Sequence, residues 1–274
     1  MPEREQPHAA QSRAIRGVVK GRAAPHSGGV KAGLNILLLA GSAEARQIAR
    51  ALGPRDLRLR ALVSEPPRGP DPMPIPCRMH PFDDPASLAE QMQDVDAVID
   101  ASHGFDGTMT EVGFAAAGIA DVPFVTLTRP AWEVSEHPKW RAARDLRAAM
   151  PMIPAGARVF AATGWTSLPA CARFPGDRLL LRQTVAHDRP PPYDFVDLIF
   201  GEAPFTPASE TALFKALHVD MLICRNLGGL PSRPKLEAAK ALDLPVILID
   251  RPARPEGAAA VQGVQAVLDW VEAL

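Results

Sequence analysis

The chain has 274 residues, of which 47% are hydrophobic and 22% charged, and its formal net charge is −1. This length is sufficient for about two domains, each with a core of its own. The near-neutral charge argues against nucleic-acid binding, which is typical of strongly basic domains, and no apolar run approaches the roughly 20 residues of a membrane helix.

Residues 1–33 differ in composition from the rest of the chain. They contain several basic residues but no sustained apolar period, and they lack the apolar segment of a secretory signal. We therefore predict a disordered N-terminal tail over residues 1–33. An upstream start codon and a basic tethering arm are the alternative interpretations.

From residue 34 onward, short apolar runs alternate with segments of helical composition. The apolar runs predict strands over residues 34–40, 57–63, 97–101, 123–127, 159–162, 179–184, 221–224 and 245–250. The other segments predict helices over residues 43–52, 85–92, 108–117, 140–149, 207–217, 234–242 and 258–274. This alternation indicates an α/β fold whose parallel sheets are covered on both faces.

We expect two Rossmann-like domains, each with a mostly parallel, doubly wound sheet and without the full GxGxxG fingerprint. Proline-rich segments around residues 129–132 and 151–154 mark the change between the two halves. The predicted domains are therefore residues 34–152 and 153–274.

In doubly wound sheets, ligands bind at the carboxyl ends of the strands. After the first predicted strand, Gly41 and Ser42 allow backbone N–H groups to approach a phosphate at a helix N-terminus, and Glu44 lies in the first turn of that helix. A tight turn at Gly41 and a helix N-cap at Ser42 are the structural alternative.

The second predicted strand is followed by Ser64 and Arg68. In dinucleotide-binding folds this position meets the adenosine ribose, where an acid favours NAD and a hydroxyl with an arginine suits the additional phosphate of NADPH. Glu65 opposes NADPH unless its side chain points away from the ribose. The loop as a whole favours NADPH.

Two further loops follow predicted strands. Histidine at a strand end beside small residues can donate a hydrogen bond or act as a general acid, so His103 is the candidate catalytic residue and Ser102 a candidate ligand contact. A histidine satisfied by the loop backbone is the alternative. In the second half, Asn226, Gly228 and Gly229 predict a loop that binds an anion or a ring.

Basic residues border several of these strand ends, among them Arg129, Arg182, Arg225 and Lys235. Should they converge, they predict a pocket for a polyanionic small molecule, because arginine binds carboxylates in bidentate fashion. Taken one at a time, each is equally consistent with a solvated surface charge.

The three cysteines, Cys77, Cys171 and Cys224, lie far apart and share no motif. They argue against a disulfide framework and against a metal held by the protein, which would need ligands in close pairs. We predict that they are small core residues of a protein in the reducing cytoplasm.

Taken in order, these segments resemble the precorrin-6A reductase family of cobalamin biosynthesis. The resemblance runs from residue 34 to about residue 252, and it is carried by NILLLAGSAEAR at 35–46, IDASHGF at 99–105, LTRPAW at 127–132, ATG at 162–164, GEAPFT at 201–206, RNLGG at 225–229 and KLEAA at 235–239. Arg225 stands where the family usually has a lysine, which favours a carboxylate anchor over an acid at that position.

The resemblance implies NADPH as the hydride donor, and reduction of one double bond of the precorrin-6A macrocycle to give precorrin-6B. With it, the predicted cofactor-binding residues are Gly41, Ser42, Glu44, Ser64, Arg68, Ser102, Asn226, Gly228 and Gly229. The predicted substrate-binding residues are Arg129, Arg182, Arg225 and Lys235, with His103 at the junction. The implied partner is a tetrapyrrole substrate, and a hand-over to the next enzyme of the pathway is open.

Two other functions share this fold. An NAD(P)-dependent reductase of another anionic substrate would have the same loops without a basic cleft of macrocycle size. A non-catalytic, two-lobed protein would bind a small ligand between its sheets without any dinucleotide. The fold alone does not separate these alternatives, whereas titration with NADPH and NADH does.

Overall fold

The structure is a computed structural model that describes residues 33–66 and 72–274. The predicted tail therefore lies outside the described residues, apart from Gly33. Arg68, which we predicted to bind the ribose phosphate, also lies outside them.

The described residues form two six-stranded sheets in which every pair of neighbouring strands is parallel. The first sheet contains β1 (Leu34–Ala40), β2 (Leu57–Val63), β3 (Cys77–Met79), β4 (Ala97–Ala101), β5 (Phe124–Thr128) and β12 (Ala259–Gln262). The second contains β6 (Trp140–Ala143), β7 (Arg158–Ala162), β8 (Arg178–Gln183), β9 (Val196–Phe200), β10 (Met221–Arg225) and β11 (Val246–Ile249). The predicted α/β fold with doubly wound parallel sheets is confirmed.

Both sheets have the strand order of dinucleotide-binding folds. The first runs β3-β2-β1-β4-β5-β12, and the second, from its opposite edge, runs β9-β8-β7-β10-β11-β6. In each sheet the order reverses at one point, between β1 and β4 in the first sheet and between β7 and β10 in the second. The carboxyl ends of the strands at that point form the crevice in which ligands of such sheets bind.

Helices cover both faces of each sheet. They are α1 (Ala43–Leu52), α2 (Pro85–Glu90), α3 (Gly107–Ala120), α4 (Leu146–Ala149), α5 (Pro207–Ala216), α6 (Pro234–Ala241) and α7 (Gly263–Glu272), with short 3₁₀ segments at Val134–Glu136, Met150–Met152 and Trp165–Cys171. On the first sheet, α1 packs beside α7 and α2 beside α3.

Strand β1 illustrates why both faces must be covered. Ile36, Leu38 and Ala40 point into the core on the α1 and α7 side, while Leu37 and Leu39 point into the core beneath α2 and α3. Successive side chains of a strand alternate between faces, so a continuous apolar run is stable only between two helical layers.

The predicted helix over residues 140–149 is wrong for its first half. Trp140–Ala143 form the edge strand β6, which pairs with Val246–Ile249, and only Leu146–Ala149 are helical. The segment has helix-forming composition, but burial of Trp140 to 2% exposure and the ladder with β11 outweigh that weak local preference.

The predicted helix over residues 258–274 also begins with a strand. Ala259–Gln262 pair with Val125–Thr128 as β12, and α7 starts only at Gly263, whose φ of +84° separates the two elements. β12 and α7 belong to the first sheet although they end the chain. The predicted boundary near residue 152 therefore does not coincide with the division between the sheets.

The edge strands β3 and β9 were not predicted either. The cysteines match their prediction in part. Cys171 and Cys224 are buried core residues, Cys77 is half-buried, and all three are free thiols. Burial raises the pKa of both Cys171 and Cys224 to about 11, so neither thiol is ionised near neutral pH.

Helix α3 offers a matched test of the packing against β1. A Cβ atom on Gly113 would lie 2.4 Å from Leu39 Cδ1, whereas one on Gly118 would meet nothing within 4 Å. We expect Gly113→Ala to lower the free energy of unfolding by about 1–2 kcal/mol through overpacking. Gly118→Ala should raise it by roughly 0.5–1 kcal/mol through helix propensity. Urea denaturation checks both, and equal effects of the two variants would contradict the packing described.

Candidate active site

The carboxyl ends of the two sheets face each other across a cleft. The loop after β4 supplies Gly104 and Phe105, while Arg225 ends β10 and Arg251 follows β11. The guanidinium carbon of Arg225 lies 5.2 Å from the centre of the Phe105 ring, and a Cβ atom on Gly104 would lie 3.8 Å from Arg251 Cδ. These contacts bring the ligand-binding edges of both sheets to one place.

A cavity of about 350 Å³ opens in this cleft. Phe105 lines it from the first sheet, and the ends of four strands line it from the second sheet: Arg144, Asp145, Leu146, Thr163, Ser167, Arg225, Ile249, Asp250 and Pro252. The volume lies near the lower end of the range of ~300–1,000 Å³ that is typical of small-molecule sites.

At the crevice of the first sheet, the loops after β1 and β4 come into close contact. A Cβ atom on Gly41 would lie 2.8 Å from the backbone nitrogen of His103, so this approach requires glycine. Ser42 caps α1 by accepting a hydrogen bond from Ala45 N at 3.2 Å, and its Oγ donates to Ala101 O at 2.7 Å. Gly41 therefore forms the tight turn and Ser42 the helix N-cap that the sequence analysis gave as the alternative to a phosphate contact. Helix α1 begins at the crevice.

Beneath the loop after β4 lies a buried carboxylate that we did not predict as a site residue. Asp100 is 1% exposed, and it accepts hydrogen bonds from Ser102 N at 3.0 Å and from Thr110 Oγ1 at 2.8 Å. Burial raises the pKa of Asp100, although the hydrogen bonds from Ser102 and Thr110 lower it. Asp100 therefore ties the turn before His103 to α3. An acid in an otherwise apolar strand was the sequence signal for it.

His103 lies in the loop after β4, beside Gly41 and Phe105, and its role at the junction stays a prediction. Its Nδ1 accepts a hydrogen bond from Phe105 N at 3.2 Å. In the neutral ring the proton is therefore on Nε2, which is the nitrogen able to donate. The ring centre lies 6.4 Å from that of Phe105, whose side chain lines the cavity.

The loop after β2, which we predicted to contact the adenosine ribose, lies close to the loop after β4. Ser64 Oγ donates to Asp106 Oδ2 at 2.9 Å, and Asp106 in turn caps α3 by accepting from Met109 N at 3.1 Å. Ser64 is exposed at this position. Its contact with a ribose phosphate stays a prediction, as does that of Arg68.

Asn226 has a structural role that the sequence analysis did not assign to it. Its side-chain amide accepts a hydrogen bond from Trp132 N and donates one to Trp132 O, both at 2.9 Å, and the residue is 7% exposed. Both functional groups of this amide are therefore bound to one backbone segment, which carries the chain from β5 to β6. A contact with a cofactor stays a prediction.

The two glycines after Asn226 pack against the same segment. A Cβ atom on Gly228 would lie 2.0 Å from Pro130 O, and φ of Gly228 is +68°, so only glycine fits. Gly229 has φ of +72°, and its carbonyl accepts a hydrogen bond from Trp132 Nε1 at 3.2 Å. The β10 loop and the 129–132 segment therefore form one unit.

Arg129 and Glu44 form an ion pair between the end of β5 and the first turn of α1. Their side chains are 19% and 20% exposed. Burial raises the pKa of Glu44, but the hydrogen bonds and charge of Arg129 outweigh it and hold the pKa below its usual value.

Arg251, which we did not predict, donates to Arg129 O at 2.9 Å and to Asn226 O at 2.8 Å. Arg251 directly follows the predicted strand over residues 245–250. Its place at the carboxyl end of a strand was therefore a sequence signal for it, as it was for the other candidates.

Arg182 and Lys235 do not line the cavity. Arg182 Nη2 pairs with Glu210 Oε1 at 2.7 Å, with side chains 9% and 5% exposed, and its guanidinium carbon lies 4.4 Å from the centre of the Phe205 ring. Lys235 Nζ lies 5.4 Å from the centre of the Trp132 ring, and burial lowers its pKa. Buried charges take partners within the protein because their desolvation is costly. Of the four residues predicted to bind the substrate, Arg225 is the one that lines this cavity, and substrate contacts of the other three stay predictions.

Within residues 33–66 and 72–274, no cluster of three His, Cys, Asp or Glu side chains has the geometry to hold a metal ion. None of the helices in this part of the chain has the length and apolar character needed to cross a membrane.

Comparisons with known proteins agree with this architecture. Residues 35–272 match the family model described as precorrin-6x reductase CbiJ/CobK. The chain is 35% identical to the precorrin-6A reductase of Rhodococcus erythropolis, over 87% of this chain and 98% of that protein. It is 33% identical to that of Rhodobacter capsulatus, over 80% and 89% respectively. A solved structure described as CobK precorrin-6A reductase superposes with a TM-score of 0.79 at 30% identity, covering 87% of this chain and 96% of that one.

The contact between Asn226 and Trp132 is open to direct test. Asn226→Ala leaves the backbone N–H and C=O of Trp132 without partners, and each buried group left unpaired costs roughly 1–3 kcal/mol. We expect a clear fall of the urea midpoint. Gln265→Ala is the matched control, because that amide bonds to Asp269 on the exposed surface of α7. An Asn226→Ala protein as stable as the control would refute the role assigned to this amide.

Proposed function

The chain belongs to the precorrin-6x reductase family, whose members are oxidoreductases of cobalamin biosynthesis, and on this premise we propose that it reduces precorrin-6A to precorrin-6B with NADPH. One hydride is added to a ring carbon of the macrocycle and one proton to the neighbouring carbon, leaving NADP⁺. The observation that supports this most is the cleft in which the carboxyl ends of two dinucleotide-type sheets meet. The proposal places the enzyme in the cytoplasm, in keeping with its free thiols.

The residues of the first sheet fit a nicotinamide cofactor. The strand order puts the crevice between β1 and β4, and Gly41 there lets the backbone at His103 approach within van der Waals distance. The ten-residue helix α1 begins at this crevice, and the N–H groups of its first turn favour an anionic group such as the pyrophosphate. When bound, the nicotinamide supplies the hydride.

The choice of NADPH over NADH rests on the loop after β2. Ser64 is exposed beside Asp106, and Arg68 follows four residues later in the sequence. A hydroxyl and a guanidinium together suit the 2′-phosphate of NADPH. Asp106 is engaged as the N-cap of α3, which orients one of its oxygens toward Met109 N.

The substrate side of the proposal rests on the second sheet. Arg225 lines the cavity, and its guanidinium lies against the Phe105 ring. A guanidinium held on an aromatic face is oriented to bind a carboxylate in bidentate fashion, and the macrocycle carries carboxylate side chains. Arg129 neutralises Glu44 at the other side of the cleft, so it keeps an acid from repelling an anionic substrate.

Two sources of the proton are consistent with the geometry. His103 can donate from Nε2 because its Nδ1 is occupied as an acceptor by Phe105 N. A water bound beside it is the other source. His103→Gln distinguishes them, since loss of a general acid lowers kcat by ~100-fold or more, whereas delivery by water leaves kcat nearly unchanged.

Titration and turnover test the proposal as a whole. Purified protein titrated with NADPH and NADH should show a fluorescence change, with the tighter binding for NADPH. Precorrin-6A added with NADPH should be reduced, as followed by absorbance. Binding of neither nucleotide would favour the non-catalytic two-lobed alternative, and oxidation of NADPH with a different anionic substrate only would favour the other reductase.

Arg225 gives the most specific prediction for substrate binding. We expect Arg225→Ala to raise the KM for the macrocycle by ten-fold or more, because one charge-assisted contact is worth about 1.5–3 kcal/mol. The KM for NADPH should stay the same. Arg178→Ala is the control. Arg178 begins β8, so it lies at the amino ends of the strands of the same sheet, opposite the carboxyl ends that carry Arg225. An unchanged KM for the macrocycle in Arg225→Ala would remove Arg225 from the site.

A further inference from the structure

An aromatic cluster extends the second sheet's ligand edge beyond the cavity. We call Trp165, His187, Phe200 and Arg189 the aromatic platform. The ring centres of Trp165 and His187 lie 5.1 Å apart, and those of His187 and Phe200 lie 5.5 Å apart, both edge-to-face. The Arg189 guanidinium carbon lies 4.9 Å from the centre of the Trp165 ring. These residues follow β7 and β8 and end β9, so three neighbouring strands contribute to one surface.

The platform is fixed by hydrogen bonds of the central histidine. His187 Nδ1 accepts from Arg189 N at 3.2 Å, and Nε2 lies 3.4 Å from Gln183 Oε1, so Nε2 carries the proton and donates. With both nitrogens engaged, the imidazole is oriented between the two larger rings. The surface is therefore ordered before any ligand binds, which reduces the entropy cost of binding.

The outer part of the platform remains exposed. Phe200 is 48% exposed at the end of an edge strand, and the nearby Val185, in the loop after β8, is 58% exposed. Arg189 is exposed as well, and among the described residues no carboxylate pairs with it. Aromatic surface beside an unneutralised guanidinium matches a flat apolar ring that carries a carboxylate.

The platform and the cavity share the loop after β7. A Cβ atom on Gly164 in that loop would lie 3.6 Å from Arg225 Nη1, and Arg225 lines the cavity. Thr163 and Ser167 line the cavity, and Trp165 lies between them in sequence at the start of the 3₁₀ segment. The cavity of about 350 Å³ is at the lower end of the range for drug-sized ligands, and a tetrapyrrole is larger than such ligands. A macrocycle with one edge in the cavity must therefore extend over the neighbouring surface, and Trp165 is the platform residue nearest in sequence to the cavity lining.

We propose that the aromatic platform is the outer part of the macrocycle site, where Trp165 and Phe200 contact one ring of the tetrapyrrole and Arg189 pairs with one of its carboxylates. The inference rests on the proposed function for the identity of the ligand. The platform belongs to the second sheet and the cofactor crevice to the first. Contact with the platform therefore fixes the rotation of the macrocycle, and so determines which of its rings faces the nicotinamide.

Kinetics of two variants test the platform. We expect Phe200→Ala and Arg189→Gln each to raise the KM for precorrin-6A by roughly five- to ten-fold, while the KM for NADPH and the Tm stay at the wild-type values. Ile119→Ala is the matched control, because Ile119 is 62% exposed on α3, away from the second sheet. If both variants keep the wild-type KM for precorrin-6A, the platform does not bind the macrocycle. Its exposed rings would then be a candidate contact with another protein.

A binding measurement separates this inference from the proposed function. Precorrin-6A is titrated without NADPH, and its binding is followed by quenching of tryptophan fluorescence. Phe200→Ala and Arg189→Gln should raise the Kd as they raise KM, and Trp165→Phe should remove a large share of the quenching. Equal Kd values for wild type and variants overturn the platform, whether or not the wild-type protein turns over. A wild-type protein that binds precorrin-6A through the platform but does not reduce it overturns the proposed function alone.

Discussion

The hydrogen bonds between Asn226 and Trp132 hold the segment on which the arrangement of both sheets depends. After β5 the chain leaves the first sheet, passes Trp132 and enters the second sheet as its edge strand β6; it returns to the first sheet only at β12. Each sheet therefore takes one edge strand from the other half of the sequence: β12 completes the first sheet and β6 the second. Because neither sheet is complete without a segment that belongs in sequence to the other half, the two halves are fixed to each other by two edge ladders rather than by a single linker.

This constraint positions the cleft. With both edges exchanged, the carboxyl ends of β4 and β10 are held close enough for Arg225 to lie on the Phe105 ring, and Arg251 bridges the carbonyls of Arg129 and Asn226. Hydride transfer requires the reacting atoms to be held ~3–3.5 Å apart, and such precision favours rigid sheets over mobile loops as the support. In the proposed reaction the first sheet provides the cofactor crevice and the second the macrocycle surface, so the fold supplies the alignment and few acid–base groups are needed.

The sequence was sufficient for the fold class and for the position of the ligand edges, because buried parallel strands are continuous apolar runs and binding loops follow them. It was misleading at residues 140–143 and 259–262, where alanine-rich, helix-forming segments become edge strands through pairing with β11 and β5. The same limit applies to the site. His103 and Arg225 are candidates because of their place at strand ends, and Arg225 lines the cavity. The burial of Arg182 beside Glu210, by contrast, depends on a helix 28 residues later, and no local pattern reveals such a contact.

In the proposed reaction the two ligand edges meet so closely that hydride passes directly from the cofactor to the macrocycle. The most direct measurement follows the label from NADPH deuterated at both C4 positions during reduction of precorrin-6A in ordinary water. With direct transfer, precorrin-6B gains one deuterium at the reduced ring carbon, and the neighbouring carbon gains its hydrogen from water. A product without deuterium would show that the hydrogen does not pass from nicotinamide to macrocycle within this cleft, and would refute direct transfer.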